Sequence, residues 1–231
     1  MGRAEGRCQR RYFLSMSCCD APAWACQFDE KIAIRDLRDY RKHGPEPTTQ
    51  ALIDALVRAG VEDATLLDIG GGICAIPFAL LRAGVREALD VDASVPYLEV
   101  ARDEAARLGV GERLGFQGAD FVEIAPQLPA ADIVTLDRVV CCYADMEPLV
   151  RLSAERCRRL YGLVYPRDQW IERTVVQIQN FFRALWRNPF RSFVHPVAAM
   201  DALIRSLGFT LRSKVRTFAW EVVVYERGTR A

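Results

Sequence analysis

Between residues 64 and 166, short apolar runs alternate with amphipathic segments, and this alternation limits the fold more than any other feature. ATLLDI (64–69), EALDVD (87–92), RLGFQGA (113–119), ADIVTLD (131–137) and LYGLVYP (160–166) have the length and apolar content of buried strands, most of them ending in glycine or aspartate. IPFALLRAG, PYLEVARDEAARLG and residues 146–159 carry helical periodicity between them. Strand and helix in regular succession predict a parallel sheet with helices on both faces, an α/β fold. The tail differs: VHPVAAMDALIRSLGF reads as a helix, and FTLRSKVRTF and AWEVVVYER follow almost without a break. Two strands so joined form an antiparallel hairpin. Upstream, residues 27–43 read as one helix stopped at Gly44-Pro45, and residues 48–59 as another, with Thr48 as its N-cap and Gly60 as its stop.

A chain of 231 residues that is 51% hydrophobic can bury one full core without metals or disulfides. The formal net charge of +1 gives no electrostatic footprint for nucleic acid, so no nucleic-acid partner is expected. No apolar run approaches the roughly 18–20 residues that span a bilayer, so no stable membrane insertion is expected either. The N-terminal stretch MGRAEGRCQRRYFLSMSCC is basic, but YFLSM is too short for a signal core; Met16 is an alternative start. A cytoplasmic location follows as an expectation, with the cysteines as thiols. Residues 1–47 then form an N-terminal extension with a capping helix, and 48–231 the main domain.

The strongest motif is LLDIGGGICAIPFAL (66–80), where a strand runs into three glycines and then a helix. Glycines at such a turn let a ligand approach the backbone. Gly70, Gly72 and Ala75 satisfy G-x-G-x-x-A, and Asp90 and Asp92 lie about 20 residues on, as in dinucleotide sites, so an NAD-dependent oxidoreductase is one reading. Asp68, two residues before the first glycine, argues for another ligand: a carboxylate there repels a pyrophosphate and suits an ammonium group.

LLDIGGG, ALDVDAS, FQGADF and ADIVTLDRVV, in this order and spacing, resemble the cofactor motifs of the class I S-adenosyl-L-methionine-dependent methyltransferases. The resemblance covers roughly residues 48–231. It is closest to bacterial members without an assigned substrate and fainter to the magnesium-protoporphyrin O-methyltransferases. It implies a Rossmann-like sheet in the order 3-2-1-4-5-7-6 and S-adenosylmethionine as cofactor. Asp68 and the Gly70, Gly71 and Gly72 backbone would line its methionine end, and Asp92, followed by Ala93, would take both ribose hydroxyls. Asp120 with Phe121 would meet the adenine, and Asp137, Arg138 and Val139 would face the methionine moiety. One departure stands out: Cys74 occupies the place of the family's third glycine, so tighter packing under the cofactor is expected.

Such an enzyme would transfer a methyl group to a small-molecule acceptor, with oxygen or carboxylate favoured over a thiol or metalloid. His195 is the general-base candidate and Tyr143 the polar contact at the end of the fourth strand; His43 reads as a solvated helix-end cation. Residues 169–193 form an insertion with an apolar face (Trp170, Ile178, Phe181, Phe182, Leu185, Trp186) and interspersed arginines. Three readings stay open for it: a helix packed over the sheet edge, a lid on a greasy acceptor, or an amphipathic helix touching a membrane. No C-x₂-C pair exists, so no zinc site is expected. Cys141 and Cys142, in an extended segment, should point to opposite sides, one towards the cleft. A soft-metal site would need Cys18, Cys19 and Cys26 to converge on them.

Overall fold

A computed structural model describes residues 27–228. Its elements run α1 (Glu30–His43), α2 (Pro47–Arg58), β1 (Thr65–Ile69), α3 (Ala75–Arg82), β2 (Glu87–Asp92), α4 (Val95–Arg107), β3 (Leu114–Gly118), α5 (Phe121–Ile124), β4 (Ala131–Asp137), α6 (Met146–Arg156), β5 (Cys157–Pro166), α7 (Trp170–Leu185), α8 (Val197–Ser206), β6 (Phe209–Arg216) and β7 (Trp220–Arg227). The sheet order is β3-β2-β1-β4-β5-β7-β6. β1 to β5 pair in parallel, and β7 runs antiparallel to both β5 and β6. The expected α/β sheet and its closing hairpin are therefore present.

Strand alternation divides the core between two faces. Leu67 and Ile69 of β1 join Leu136, Tyr161 and Tyr225 on one side. Leu66 joins Leu52, Leu56 and Phe78 on the other. Asp68, in step with Leu66, is thereby pointed at the side covered by α2 and α3 and is 1% exposed.

Two boundaries differ from expectation. Pro47 opens α2, with Glu46 at the N-cap making no side-chain bond. Proline's fixed φ and missing N–H suit that first position, and Thr48 and Thr49 are buried inside the helix instead. The helix expected to reach residue 159 ends at Arg156, and β5 starts at once with Cys157 pairing Ala131 of β4. The outward Arg158 and Arg159 had disguised that strand start as helix. Among the described residues no helix is long and apolar enough to cross a membrane.

α1 precedes the sheet, and its own sequence explains its ends: Asp29 accepts from the Ile32 N–H at 3.0 Å, and Gly44 stops it at φ 80°. Its tie to α4 runs through Glu104, which is fully buried and bonded to Arg107 (2.6 Å) and Arg41 (2.5 Å). Arg107 first, then Arg41, hold that carboxyl down to about 2. A depressed carboxylate adds stability above its ordinary pKa that is lost as pH falls through the folded value. Glu104→Gln should therefore lower the melting temperature by several degrees at neutral pH, for about 1–3 kcal/mol. Thermal scans should find the deficit shrinking as pH falls from about 4 towards 2.

Candidate functional site

Because β1, β2 and β4 are parallel, their C-terminal ends open on the same side, where α/β sheets bind ligands. There lies a cavity of about 720 Å³, walled by Asp68, Gly70–Gly72, Asp92, Ala93, Phe121 and Asp137–Val139. α1 roofs it with Asp36, Asp39, Tyr40 and His43. The roof is fastened by the Tyr97 hydroxyl, which donates to Asp36 at 2.5 Å, and by the Ser94 hydroxyl, which donates to the Phe28 carbonyl at 2.8 Å.

Three carboxylates surround the glycine loop, Asp68 and Asp90 buried and Asp92 half-buried. Asp68 accepts from the Thr135 hydroxyl at 2.5 Å through Oδ1, while its buried Oδ2 has no hydrogen-bond partner among the described residues. Burial pushes this group up to about 7, with the Asp137 and Asp92 charges adding and Thr135 opposing. Asp90 lies beneath the loop and accepts from the Gly71 N–H at 3.1 Å. Burial first, then the neighbouring carboxylates, raise it well above the ordinary range. Asp92 faces the cavity and accepts from the Gly72 N–H (3.0 Å) and the Ser94 N–H (2.7 Å). The two acids expected as alternative ribose ligands thus divide their work: Asp90 supports the loop from below and Asp92 lines the site.

The loop is tightly fitted. A Cβ on Gly71 would sit 2.5 Å from Asp90 Oδ1 and 2.6 Å from Asp68 Oδ2. Gly70 combines φ 66° with a would-be Cβ 2.6 Å from Val139 Cγ2. Cys74 is left-handed at φ 62°, ψ 35° and fully buried. That is a conformation a glycine would hold without strain, so the cysteine found at this position carries a backbone cost that a glycine would not. The Cys74 thiol packs against Asp90 and Asp68; burial and those carboxylates raise its pKa well above the ordinary thiol value.

Asp137, Arg138 and Val139 line the cavity together. Asp137 Oδ2 accepts from the Thr49 hydroxyl at 2.5 Å, and Arg138 turns through φ 61° with its Nε 3.3 Å from Asp137 Oδ1. Asp120 is not among the lining residues. Its Oδ1 caps α5 at the Val122 N–H (2.9 Å) and also accepts from the Tyr143 hydroxyl at 2.8 Å. The neighbouring Phe121 and Tyr143 do line the cavity.

His195 does not reach the cavity lining. Its Nε2 lies 2.9 Å from the Tyr143 carbonyl and 3.2 Å from the Val140 carbonyl, so that nitrogen carries a proton and donates. It braces the turn that follows β4. His43, expected only as a helix-end cation, is the histidine that lines the cavity. Sequence reasoning also missed Thr49, Tyr97 and the acidic residues of α1; the one available signal was that α1 presents a recurring polar stripe of Asp36, Asp39 and His43.

The paired cysteines occupy a 3₁₀ turn, Val140–Cys142, and not an extended segment. Their sulfurs therefore point to one side, both towards the Arg138 carbonyl, at 3.2 Å from Cys141 and 3.6 Å from Cys142. Cys142 lines the cavity and Cys141 is buried. The adjacent Cys142 thiol is the main cause that holds Cys141 below the ordinary thiol pKa. Cys18, Cys19 and Cys26, whose convergence a soft-metal site would need, lie outside the described residues, among which no cluster suited to a metal occurs.

No family model matches the chain. Over 107 residues it is 27% identical to the ribosomal protein L11 methyltransferase of Enterobacter sp. (strain 638), a match covering 46% of this chain and 36% of that protein. The match thus spans little more than a third of the length of that curated relative. Among solved structures, the magnesium protoporphyrin IX methyltransferase of Synechocystis PCC 6803 with bound SAH aligns at TM-score 0.64 and 16% identity, covering 87% of this chain and all of that one. An O-methyltransferase family protein from Burkholderia thailandensis aligns at TM-score 0.63 and 17% identity, over 87% of this chain and 63% of that one. In strand order and closing antiparallel hairpin, the chain has the Rossmann-like fold of the class I S-adenosylmethionine-dependent methyltransferases.

Proposed function

We propose that the chain binds S-adenosyl-L-methionine and transfers its methyl group to a small-molecule acceptor at oxygen or carboxylate. One observation carries the reading: a cavity-lining carboxylate, Asp68, keeps a buried oxygen without a partner among the described residues, beside a glycine loop. A buried acceptor left unsatisfied is costly, and a cationic ligand group removes that cost. S-adenosylmethionine, when bound, brings an ammonium group and a transferable methyl on a positively charged sulfur. Asp68 and the Gly70–Gly72 backbone then hold the amino-acid end, Asp92 the ribose hydroxyls, and Phe121 packs on the adenine. Asp137, kept in place by Thr49, and Val139 shape the wall beside the methionine.

An acceptor carboxylate is ionised at neutral pH and needs no general base. This suits a wall where Tyr143 donates its proton to Asp120 and His195 is turned into the β4 turn. Positioning is then the main contribution that the protein makes to the transfer.

Calorimetric titration with S-adenosylmethionine, its demethylated product and NADH tests the reading. The two methionine-derived ligands should bind and NADH should not; the reverse result overturns it. Binding a cation at Asp68 requires the proton to leave, so affinity should rise as pH increases towards about 7 and level off above it. Below that point the change should approach tenfold per pH unit, and Asp68→Asn should flatten the profile. Labelled cofactor offered with a panel of carboxylates, phenols, thiols and amines then identifies the acceptor.

A further inference from the structure

α7 is packed inside out. Its residues Glu172, Asn180 and Arg183 turn towards the body of the protein: Asn180 Nδ2 donates to the Ser192 carbonyl at 2.7 Å and Arg183 to the Ser192 hydroxyl at 2.9 Å. The opposite arc carries Trp170, Ile178, Phe181, Phe182, Leu185 and Trp186, and all six are exposed. Trp170 is 76%, Phe181 66% and Trp186 75% accessible. At 100° per residue these side chains share one continuous arc. Sixteen residues make a ridge about 24 Å long. Phe218, 79% exposed at the β6–β7 turn, adds to it at the start of α7, because Arg167 donates to the Phe218 carbonyl (3.2 Å) and its backbone N–H to that of Ala219 (2.9 Å). A patch of this size is rare on a protein without a partner for it.

The shape and charge of the ridge select the occupant. It is the convex outer face of a helix, with a tryptophan at each end, and none of its six apolar residues lines the site cavity. Residues 167–191 hold five arginines against two acids, a net +3 in a chain whose total is +1. One of those acids, Glu172, is buried beneath the helix. An apolar arc with interfacial tryptophans and flanking arginines matches an anionic bilayer surface, which takes a convex face without shape complementarity. We propose that α7 and the Phe218 tip dock flat on an anionic lipid bilayer, the arc among the acyl chains and Arg187 at the headgroups. The segment after α7 bonds to the turn that carries the cavity-lining Cys142, Phe193 N–H to the Cys141 carbonyl at 2.8 Å. Resting on the methyl-transfer reading for this clause alone, docking would favour amphiphilic acceptors drawn from the membrane surface.

The full chain should co-sediment with vesicles of equimolar phosphatidylcholine and phosphatidylglycerol, with a blue shift in tryptophan emission. Binding should weaken at least tenfold in pure phosphatidylcholine or in high salt. Phe181→Ser with Leu185→Ser should cost at least tenfold in vesicle affinity with an unchanged circular dichroism spectrum, and Arg187→Glu a smaller, salt-sensitive part. No binding to either vesicle overturns the proposal, as does a double variant that binds like the parent. A dimer in ultracentrifugation that the double variant dissociates, without vesicle binding by the parent, assigns the ridge to a second copy instead. None of these measurements uses the cofactor, so failure here is separate from failure in the calorimetric titration.

Discussion

Replacing Gly71 by alanine is expected to remove measurable S-adenosylmethionine binding. The new Cβ would lie 2.5 and 2.6 Å from two carboxylate oxygens, Asp90 Oδ1 and Asp68 Oδ2, neither at the end of a freely moving chain. Both acids are buried, so the loop must move, and the Gly71 N–H bond to Asp90 at 3.1 Å goes with it. A buried carboxylate deprived of a donor costs about 1–3 kcal/mol, so the melting temperature should fall as well. Gly109→Ala provides the contrast. Gly109 is also left-handed, at φ 69°, but with open space around it. Alanine there should cost on the order of 1–2 kcal/mol and leave cofactor affinity unchanged. Calorimetry on both variants separates a fitted loop from a merely flexible one, and full affinity in Gly71→Ala would sink the site as drawn.

The second large effect belongs to Asp92→Ala. The carboxylate holds two backbone donors, Gly72 N–H at 3.0 Å and Ser94 N–H at 2.7 Å, and has lone pairs to spare for ribose hydroxyls. Charge-assisted hydrogen bonds contribute about 1.5–3 kcal/mol each, so losing two to the ligand weakens binding by a hundredfold or more. Asp92→Asn should rescue little, because its amide would bring N–H groups against those same backbone donors. Affinity within twofold of the parent in Asp92→Ala would remove this residue from the cofactor site.

The parallel strands were readable because they are short and apolar and most run into glycine or aspartate, and the parallel order then put Asp68, Asp92 and Asp137 at one rim. What escaped was set by contacts distant in sequence. Asp36 meets Tyr97 and Thr49 meets Asp137 across 61 and 88 residues, and no local pattern announces either. The same holds for Asp120, whose position after β3 was clear but whose carboxylate is engaged by Tyr143, 23 residues on. His195 stood out for its chemistry, yet backbone carbonyls around the β4 turn claim its donor nitrogen. In α7 the periodicity correctly gave a helix and an apolar arc. Periodicity reports that two faces differ, not which one turns inwards, and here Asn180 and Arg183 find partners in Ser192 that draw the polar face to the body.

The left-handed, fully buried Cys74 has one more consequence. Alkylating reagents attack thiolates, and burial, reinforced by the carboxylates below the glycine loop, keeps this sulfur protonated and out of reach. Its modification therefore waits for the loop to lift. The rate at which Cys74 takes up a label is thus a clock for breathing of the floor beneath the ligand, and a bound ligand should slow it.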